Sequence, residues 1–272
     1  MPEPLTEADR SHPAGVDMDE LIARAASILV RARTLVVLTG AGVSKESGIP
    51  TFREAQTGLW ARYDPQELAT RQAFRRDPEL VWRWYQFRRS LVAAARPNPA
   101  HRALAELERF LPRVIVLTQN IDGFHQAAGS SDVVELHGSI GRSRCFADCR
   151  GEPTLIDLAA LPGGDAVPPR CPYCHDYLRP DVVWFGEPLP QAALQRAWLV
   201  SAQCDVMMVV GTSGVVYPAA ALPRIAREAG NAVVEVNPEP GGITPLADVF
   251  LQGPAGTVLP ILVRMLGGLS ES

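Results

Sequence analysis

The sequence predicts an α/β fold with a Rossmann-like, doubly wound parallel sheet and a small second domain. The chain of 272 residues contains several short, nearly continuous apolar runs that are rich in β-branched residues. Continuous rather than alternating apolarity is typical of strands that are buried on both faces of a parallel sheet. Helical patterns lie between several of these runs, and alternating strands and helices favour a doubly wound domain. Two long stretches interrupt the alternation and predict the second domain.

The sequence predicts three helices and six strands for the large domain. A helix is expected to begin near Asp17, which forms a capping-box-like pair with Glu20 ahead of an apolar face. Further helices are predicted over Pro99–Phe110 and Pro218–Ala229. The predicted strands are Leu35–Leu38, Val114–Leu117, Val133–Leu136, Val206–Val210, Val233–Val236 and Val249–Leu251.

The interruptions define the predicted domain organisation. Residues 53–100 have no strand pattern and form the helical part of the small domain, and residues 139–186 form its second part. The Rossmann-like domain is therefore discontinuous. It is assigned to residues 17–52, 101–138 and 187–272, and residues 1–16 form a polar, proline-containing arm that is expected to be flexible.

Composition excludes several functional classes. A net charge of −4 gives no reason to expect nucleic-acid binding. No segment approaches the roughly 18 uninterrupted apolar residues of a membrane span. The N-terminal segment lacks the apolar region of a secretory signal, so a cytoplasmic location is expected. One core accounts for the apolar faces, which favours a monomer.

Four of the five cysteines form two close pairs that are typical of a metal site. Cys145 and Cys149 are separated by three residues, Cys171 and Cys174 by two, and twenty-one residues lie between the pairs. Two such knuckles supply the four thiolates of a tetrahedral structural zinc site. The alternatives are four unrelated thiols, or His175 as a substitute ligand. The fifth, Cys204, begins an apolar strand and is expected in the core.

The first strand leads directly into a glycine-rich loop. Gly40-Ala41-Gly42 at a strand-to-helix turn is suited to approach a pyrophosphate, although a plain tight turn has the same pattern. Lys45 occupies the third glycine position of the dehydrogenase fingerprint. The second strand ends in Thr118-Gln119-Asn120, without the acidic residue that holds a ribose. Both departures disfavour a hydride-transfer enzyme.

Five spaced motifs together resemble the sirtuin family, and the resemblance covers nearly the whole chain from about Asp17. The motifs are GAGVSKESGIPTFR (40–53), QNID (119–122), LHGS (136–139), GTS (211–213) and NPE (237–239). Members of this family are NAD-dependent protein-lysine deacylases, and the first cysteine pair is one residue longer here than in the usual family pattern. The resemblance implies NAD as a co-substrate, structural zinc, and acylated-lysine proteins or peptides as partners.

The resemblance also implies the roles of individual residues. His137 is the general base that activates a ribose hydroxyl, because a neutral imidazole titrates near the working pH, and Asn120 is catalytic with it. The other histidines, His101, His125 and His175, are expected to be structural. The implied NAD contacts are Gly40, Ala41, Gly42, Phe52, Arg53, Trp60, Gln119, Asn120, Ile121, Asp122, Gly211, Thr212, Ser213, Asn237, Pro238, Glu239 and Ala255.

Two further segments are implied to bind the substrate. The segment resembling the family's peptide-pairing strand contributes Val183, Phe185, Gly186 and Glu187. A plain buried strand is the alternative.

The acyl pocket is expected on the aromatic helix. Tyr85 and Arg88 reproduce the Y-x-x-R signature of class III sirtuins, in which they bind the distal carboxylate of succinyl or malonyl groups. An arginine-rich solvated helix face is the alternative, since ten arginines lie within residues 71–113. Neighbouring Arg89 is expected to face solvent. The core face of this helix is expected to comprise Leu80, Trp84, Phe87 and Leu91.

The sequence thus predicts a deacylase that removes acetyl and also succinyl or malonyl groups, releasing nicotinamide, O-acyl-ADP-ribose and free lysine. An NAD-dependent mono-ADP-ribosyltransferase is one alternative, which an intact His137 disfavours. A non-catalytic NAD or ADP-ribose sensor is another, and it would be expected to lack His137, Asn120 or Asp122, all of which are present.

Overall fold

The structure is a computed structural model that describes residues 17–50, 63–161 and 167–270. The predicted NAD contacts Phe52, Arg53 and Trp60, together with the N-terminal arm, lie outside the described residues. The large sheet has six parallel strands, which are β1 Thr34–Thr39, β2 Arg113–Thr118, β3 Val133–Glu135, β7 Val206–Val210, β8 Ala232–Asn237 and β9 Val249–Gln252. They lie in the order β3-β2-β1-β7-β8-β9. All six predicted strands are therefore confirmed.

The helices occupy the connections. They are α1 Met18–Leu29, α2 Gly42–Lys45, α3 Pro65–Leu68, α4 Arg71–Arg76, α5 Pro78–Ala94, α6 Pro99–Glu106, α7 Phe124–Ala128, α8 Gln191–Gln203, α9 Leu222–Glu228 and α10 Ala255–Ser270. The side chain of Asp17 accepts a hydrogen bond from the backbone N–H of Asp19 (3.5 Å), so the predicted first helix begins as expected. Both interior helix predictions are found, with short 3-10 turns at one end of each. No helix within the described ranges is long and apolar enough to span a bilayer.

Both faces of the large sheet are buried, which explains its continuous apolar strands. On one face, Val37 and Val116 pack into a cluster with residues of α1, α6 and α10. On the other face, Val36 and Ile115 pack with residues of α8 and α9. Successive strand residues point to opposite faces, so both sets of side chains must be largely apolar. Glu235 in β8, which is 1% exposed, is an exception.

A second, antiparallel sheet has the order β5-β4-β6, with β4 Gly138–Cys145, β5 Leu155–Ile156 and β6 Leu178–Val182. This sheet and the helices of the preceding interruption share one core. Phe74 and Trp84 from α4 and α5 pack with Ile140, Val182 and Trp184 from the sheet and its flank. The two interruptions therefore meet in space, and the exact domain boundaries stay a prediction.

Helix α5 is buried more widely than the sequence predicts. Tyr85 and Arg88 are only 1% and 7% exposed, while the predicted core residues Leu80 and Phe87 are partly buried. The expectation that Arg89 faces solvent is wrong. Its guanidinium donates to the carbonyl oxygens of Ile140 (2.6 Å) and Arg142 (2.9 Å), because α5 packs across β4.

Candidate active site

The glycine loop after β1 lies against the loop after β7 at the carboxyl end of the sheet. The backbone N–H of Gly42 donates to the carbonyl oxygen of Gly211 (2.8 Å). A Cβ on Gly42 would lie 2.7 Å from that same oxygen, and one on Gly40 would lie 2.6 Å from the Cβ of Thr212. Both glycines are thus required by the close approach of two loops, in addition to any ligand.

A cavity of about 300 Å³ opens beside these loops. Its lining combines residues at or after the ends of four different strands: Gly42, Lys45, Glu46, Gly211, Val236, Pro238, Pro254 and Ala255. Four of the predicted NAD contacts therefore meet in one cavity. Ligands of open α/β sheets bind in such crevices outside the carboxyl ends of the strands, and this volume is at the lower end for small-molecule sites.

Side-chain hydrogen bonds join more of the predicted contacts around this edge. Gln119 donates to the hydroxyl of Thr212 (3.1 Å), and Asn237 donates to the carbonyl oxygen of Thr212 (3.2 Å). Ser213 lies beside Thr212, while Ala41 and Glu239 are exposed at the ends of their strands. The ends of β1, β2, β7 and β8 thus form one polar surface.

His137 lies between the two sheets and is held in one tautomer. Its Nδ1 is 2.9 Å from the carbonyl oxygen of Gln119, which only accepts, so Nδ1 carries the proton. Nε2 then bears the lone pair. Burial lowers the pKa of His137 below its usual value, although the hydrogen bond to Gln119 raises it. The imidazole is therefore neutral near pH 7 and has a basic nitrogen available.

Asn120 and Asp122 are positioned by one buried serine. The amide of Asn120 donates to the Ser44 hydroxyl (3.1 Å) and to the carbonyl oxygen of Gly40 (3.1 Å). The Ser44 hydroxyl donates to Asp122 (2.8 Å). Burial raises the pKa of Asp122. Ile121, between them, accepts at its carbonyl oxygen from the N–H of Ile140 (2.9 Å), which joins this loop to the small sheet.

The segment Val183–Glu187 follows β6 and lies between His137 and the end of helix α3. The backbone N–H of Val183 donates to the carbonyl oxygen of His137 (2.9 Å), and the backbone N–H of Phe185 donates to the carbonyl oxygen of Ala69 (2.9 Å). Gly186 adopts a left-handed φ of 84°. The Glu187 carboxylate turns inward and pairs with Arg179 (2.6 Å), so its side chain lies in a buried ion pair.

Tyr85 and Arg88 lie together on the buried face of α5. The Tyr85 hydroxyl accepts a hydrogen bond from the indole of Trp184 (3.0 Å), and burial raises the pKa of Tyr85 to about 12. The guanidinium of Arg88 lies over the ring of Trp84, 5.3 Å from its centroid. Burial lowers the pKa of Arg88 from its usual value. A solvated helix face, the alternative from the sequence, is excluded by this burial.

The four paired cysteines converge in the small domain. All four sulfur atoms lie within 4.8 Å of one another, with Cys145 and Cys174 at 3.5 Å and Cys149 and Cys171 at 3.8 Å. A tetrahedral zinc site with Zn–S bonds of about 2.3 Å has S–S edges of about 3.8 Å, so the thiols fit this ion. His175 is not part of the cluster.

The longer first knuckle still closes on the metal position. Asp148, which precedes Cys149, adopts a left-handed φ of 47° and its N–H donates to the carbonyl oxygen of Cys145 (3.3 Å). Aspartate tolerates this conformation better than most residues. The extra residue is therefore absorbed in a tight turn. Cys204, expected in the core, is 2% exposed.

Comparison with known proteins decides the family. The model of the Sir2 family matches residues 40–218, about two thirds of the chain. The chain belongs to the Sir2 family. The NAD-dependent protein deacylase 2 of Pyrobaculum aerophilum is 58% identical over 239 residues, which cover 88% of this chain and 93% of that protein.

Solved structures of Sir2 proteins share the whole fold. A Sir2 homologue in complex with NAD has a TM-score of 0.84 and 45% identity, covering 97% of this chain and 99% of that one. Sir2Af2 bound to a myristoylated histone peptide has a TM-score of 0.73 and 40% identity, covering 93% and 100% of the two chains.

The Sir2 site of this chain contains two residues that sequence reasoning did not assign to it. Ser44 holds both Asn120 and Asp122, and His101 lies 3.4 Å from the Ser44 hydroxyl. Burial lowers the pKa of His101 to about 4, so it is neutral. Ser44 stands within the glycine-loop motif, which is the signal that pointed toward it. His101 lies outside every motif, and its contact depends on the packing of α6 against α2.

Proposed function

We propose that this chain is an NAD-dependent protein-lysine deacylase that removes acetyl groups and also succinyl or malonyl groups. The observation that carries the proposal is the tautomer of His137, with Nδ1–H bound to Gln119 and Nε2 left as an acceptor. A base of this kind is what the deacylation chemistry requires. Nicotinamide, O-acyl-ADP-ribose and free lysine are the products.

The residues present suit NAD as the co-substrate. The cavity beside Gly42, Gly211, Pro238 and Ala255 is suited to the adenosine end, and the polar side chains of Asn120 and Asp122 lie further along the same edge. When bound, NAD would supply the ribose carbon that the acyl oxygen attacks, the nicotinamide that leaves, and the ribose hydroxyl whose oxygen finally carries the acyl group. Asn120 and Asp122 orient the nicotinamide end, and Nε2 of His137 takes the proton of a ribose hydroxyl.

The acylated substrate peptide and the zinc ion bind at separate sites of the small domain and its flank. An acyl-lysine peptide pairs with the main chain of Val183–Glu187, where an added strand would gain affinity from main-chain hydrogen bonds. That Sir2Af2 binds a myristoylated histone peptide supports acylated peptides as the substrate class. Zinc bound by the four cysteines is structural, since all four positions of a tetrahedral site are occupied by thiolates.

The acidic acyl preference rests on Tyr85 and Arg88. A buried guanidinium beside a buried phenol is suited to a carboxylate, because Arg binds carboxylates bidentately and the phenol adds a neutral donor. An apolar acyl chain has no such group to pair with the cation. The cytoplasmic location and the monomeric state stay predictions.

A mass-resolved assay tests the proposal. Purified protein is incubated with NAD and a succinyl-lysine or acetyl-lysine peptide, and we expect loss of the acyl group only when NAD is present. His137→Ala should abolish both reactions. ADP-ribose attached to protein would instead indicate a transferase, and the absence of turnover would indicate a sensor.

The acyl preference is tested with a matched pair of variants on α5. Arg88→Met should lower kcat/KM for desuccinylation by about tenfold to a hundredfold more than for deacetylation, because a charge-assisted hydrogen bond is lost. Arg83→Met is the control, since Arg83 is exposed and pairs with Glu79. Equal losses of both reactions in Arg88→Met would refute the acidic pocket.

A further inference from the structure

The indole of Trp184 determines which way the Tyr85 hydroxyl can point. Its Nε1 lies 3.0 Å from the phenol oxygen, although the two residues are 99 positions apart in the chain. An indole nitrogen only donates, so the phenol oxygen must accept. The hydroxyl hydrogen of Tyr85 is then directed away from Trp184. This is the only hydrogen bond of the Tyr85 hydroxyl within the described part of the chain.

Trp184 is itself held at both its ring and its main chain. The guanidinium carbon of Arg179 lies 3.3 Å from the centroid of the indole. The backbone N–H of Trp184 donates to the Glu187 carboxylate (2.9 Å), and that carboxylate accepts two hydrogen bonds from Arg179 (2.6 and 2.9 Å). Arg179 and Trp184 are each 1% exposed. The donor that faces Tyr85 is therefore fixed in position.

The same segment reaches the catalytic base. Val183, next to Trp184, donates from its N–H to the carbonyl oxygen of His137 (2.9 Å). One short stretch of chain thus contacts the base on one side and the acyl-pocket phenol on the other. The phenol keeps its hydrogen across the physiological range, because burial raises the pKa of Tyr85 to about 12.

We propose that Trp184 is a positioning residue for acyl specificity. By donating to the phenol oxygen, it leaves the Tyr85 hydroxyl hydrogen to be donated to the distal carboxylate of a succinyl or malonyl chain. The inference rests on the proposed function, because it assigns to Trp184 a role that acts through the acyl pocket. Acetyl groups carry no distal acceptor, so the effect is confined to acidic acyl chains.

The test is a double-mutant cycle on the ratio of kcat/KM for desuccinylation to kcat/KM for deacetylation. Trp184→Phe and Tyr85→Phe should each lower this ratio about fivefold, as expected for one neutral hydrogen bond. The double variant should lower it no further than Tyr85→Phe alone, because Trp184 acts through the phenol. Trp82→Phe is the matched control, since Trp82 is a buried tryptophan on the helix of Tyr85 but packs in a different cluster. Its ratio should be unchanged.

A second measurement leaves Trp184 in place. In protein labelled with ¹⁵N-tryptophan, Tyr85→Phe should shift the indole N–H resonance of Trp184 and leave that of Trp82 unmoved. An unchanged Trp184 resonance, an unchanged ratio in Trp184→Phe, or losses that multiply in the double variant would each overturn the inference. Wild-type protein that removes acetyl but not succinyl groups would instead refute the acidic acyl preference itself.

Discussion

The buried carboxylate of Glu187 is expected to stabilise the fold more than any exposed acid of the chain. It accepts hydrogen bonds from Arg179 (2.6 and 2.9 Å), from the Trp184 N–H (2.9 Å) and from Arg71 (3.1 Å). The Arg179 side chain is 1% exposed and the Glu187 side chain 13%. In Glu187→Gln the buried guanidinium would lose its counter-charge with no access to water.

The magnitude follows from that burial. Removing one partner of a buried ion pair costs about 3–5 kcal/mol, whereas an exposed pair contributes about 0.5 kcal/mol. Glu79 provides the comparison, because it pairs with Arg83 while both side chains are more than half exposed. Glu187→Gln should therefore lower Tm by about 10 °C, and Glu79→Gln by no more than about 2 °C.

The assay is unfolding by urea and by heat for the wild-type chain and both variants, in their zinc-loaded form. Replacing both partners, Arg179→Met with Glu187→Leu, should recover much of the stability, because no charge is then left buried. A loss in Glu187→Gln as small as that in Glu79→Gln would refute this reasoning, since it would show that water reaches the Arg179 guanidinium.

Two further predictions concern the metal and the base. Cys171→Ser should lower the bound zinc, measured by elemental analysis, to well below one ion per chain. Cys204→Ser is the control and should retain the zinc, because Cys204 lies outside the cluster. Equal zinc contents in the two variants would exclude the four-thiol site. The kcat/KM for deacylation should rise with pH through an apparent pKa below 6.5 and be level by pH 7, because burial lowers the pKa of His137 and the deprotonated imidazole is the active form. A profile that is still rising above pH 8 would contradict this assignment.

The large sheet could be predicted from the sequence because its chemistry is local. A strand buried on both faces needs apolar residues at nearly every position, and Val206–Val210 satisfies this requirement without reference to any partner. Leu35–Leu38, Val114–Leu117 and Val249–Leu251 are also apolar throughout, whereas the other two runs each include one glutamate, Glu135 and Glu235. The first helix was equally predictable, since Asp17 caps it through its own neighbours.

The small sheet could not be predicted in the same way. Strand β4 contains two glycines, two serines and two arginines, and its pairing with β6 is irregular between Ser139 and Ser143. Two carbonyl oxygens of this irregular stretch accept hydrogen bonds from Arg89 of α5, which was predicted to face solvent. Contacts of this kind join segments about 50 residues apart, and no local pattern encodes them.

Sequence also identified residues of the candidate site better than it identified their partners. The cavity contains Gly42, Gly211, Pro238 and Ala255, all of them named from the resemblance to the sirtuin family. The serine that orients Asn120 and Asp122, and the inward turn of the Glu187 carboxylate, depend on how the loops fold over one another. Motifs report which side chains matter, whereas packing decides which way they face.

Strand β4 begins at Gly138, directly after His137, and ends at Cys145, the first of the four clustered thiols. One strand thus connects the proposed base to the cysteine cluster at its far end. Removing the ion would release the Cys145 end of that strand, and the resulting loss of order would reach the His137 imidazole even though the metal contacts no reactant. Turnover should therefore track zinc supply, even though zinc performs no step of the reaction.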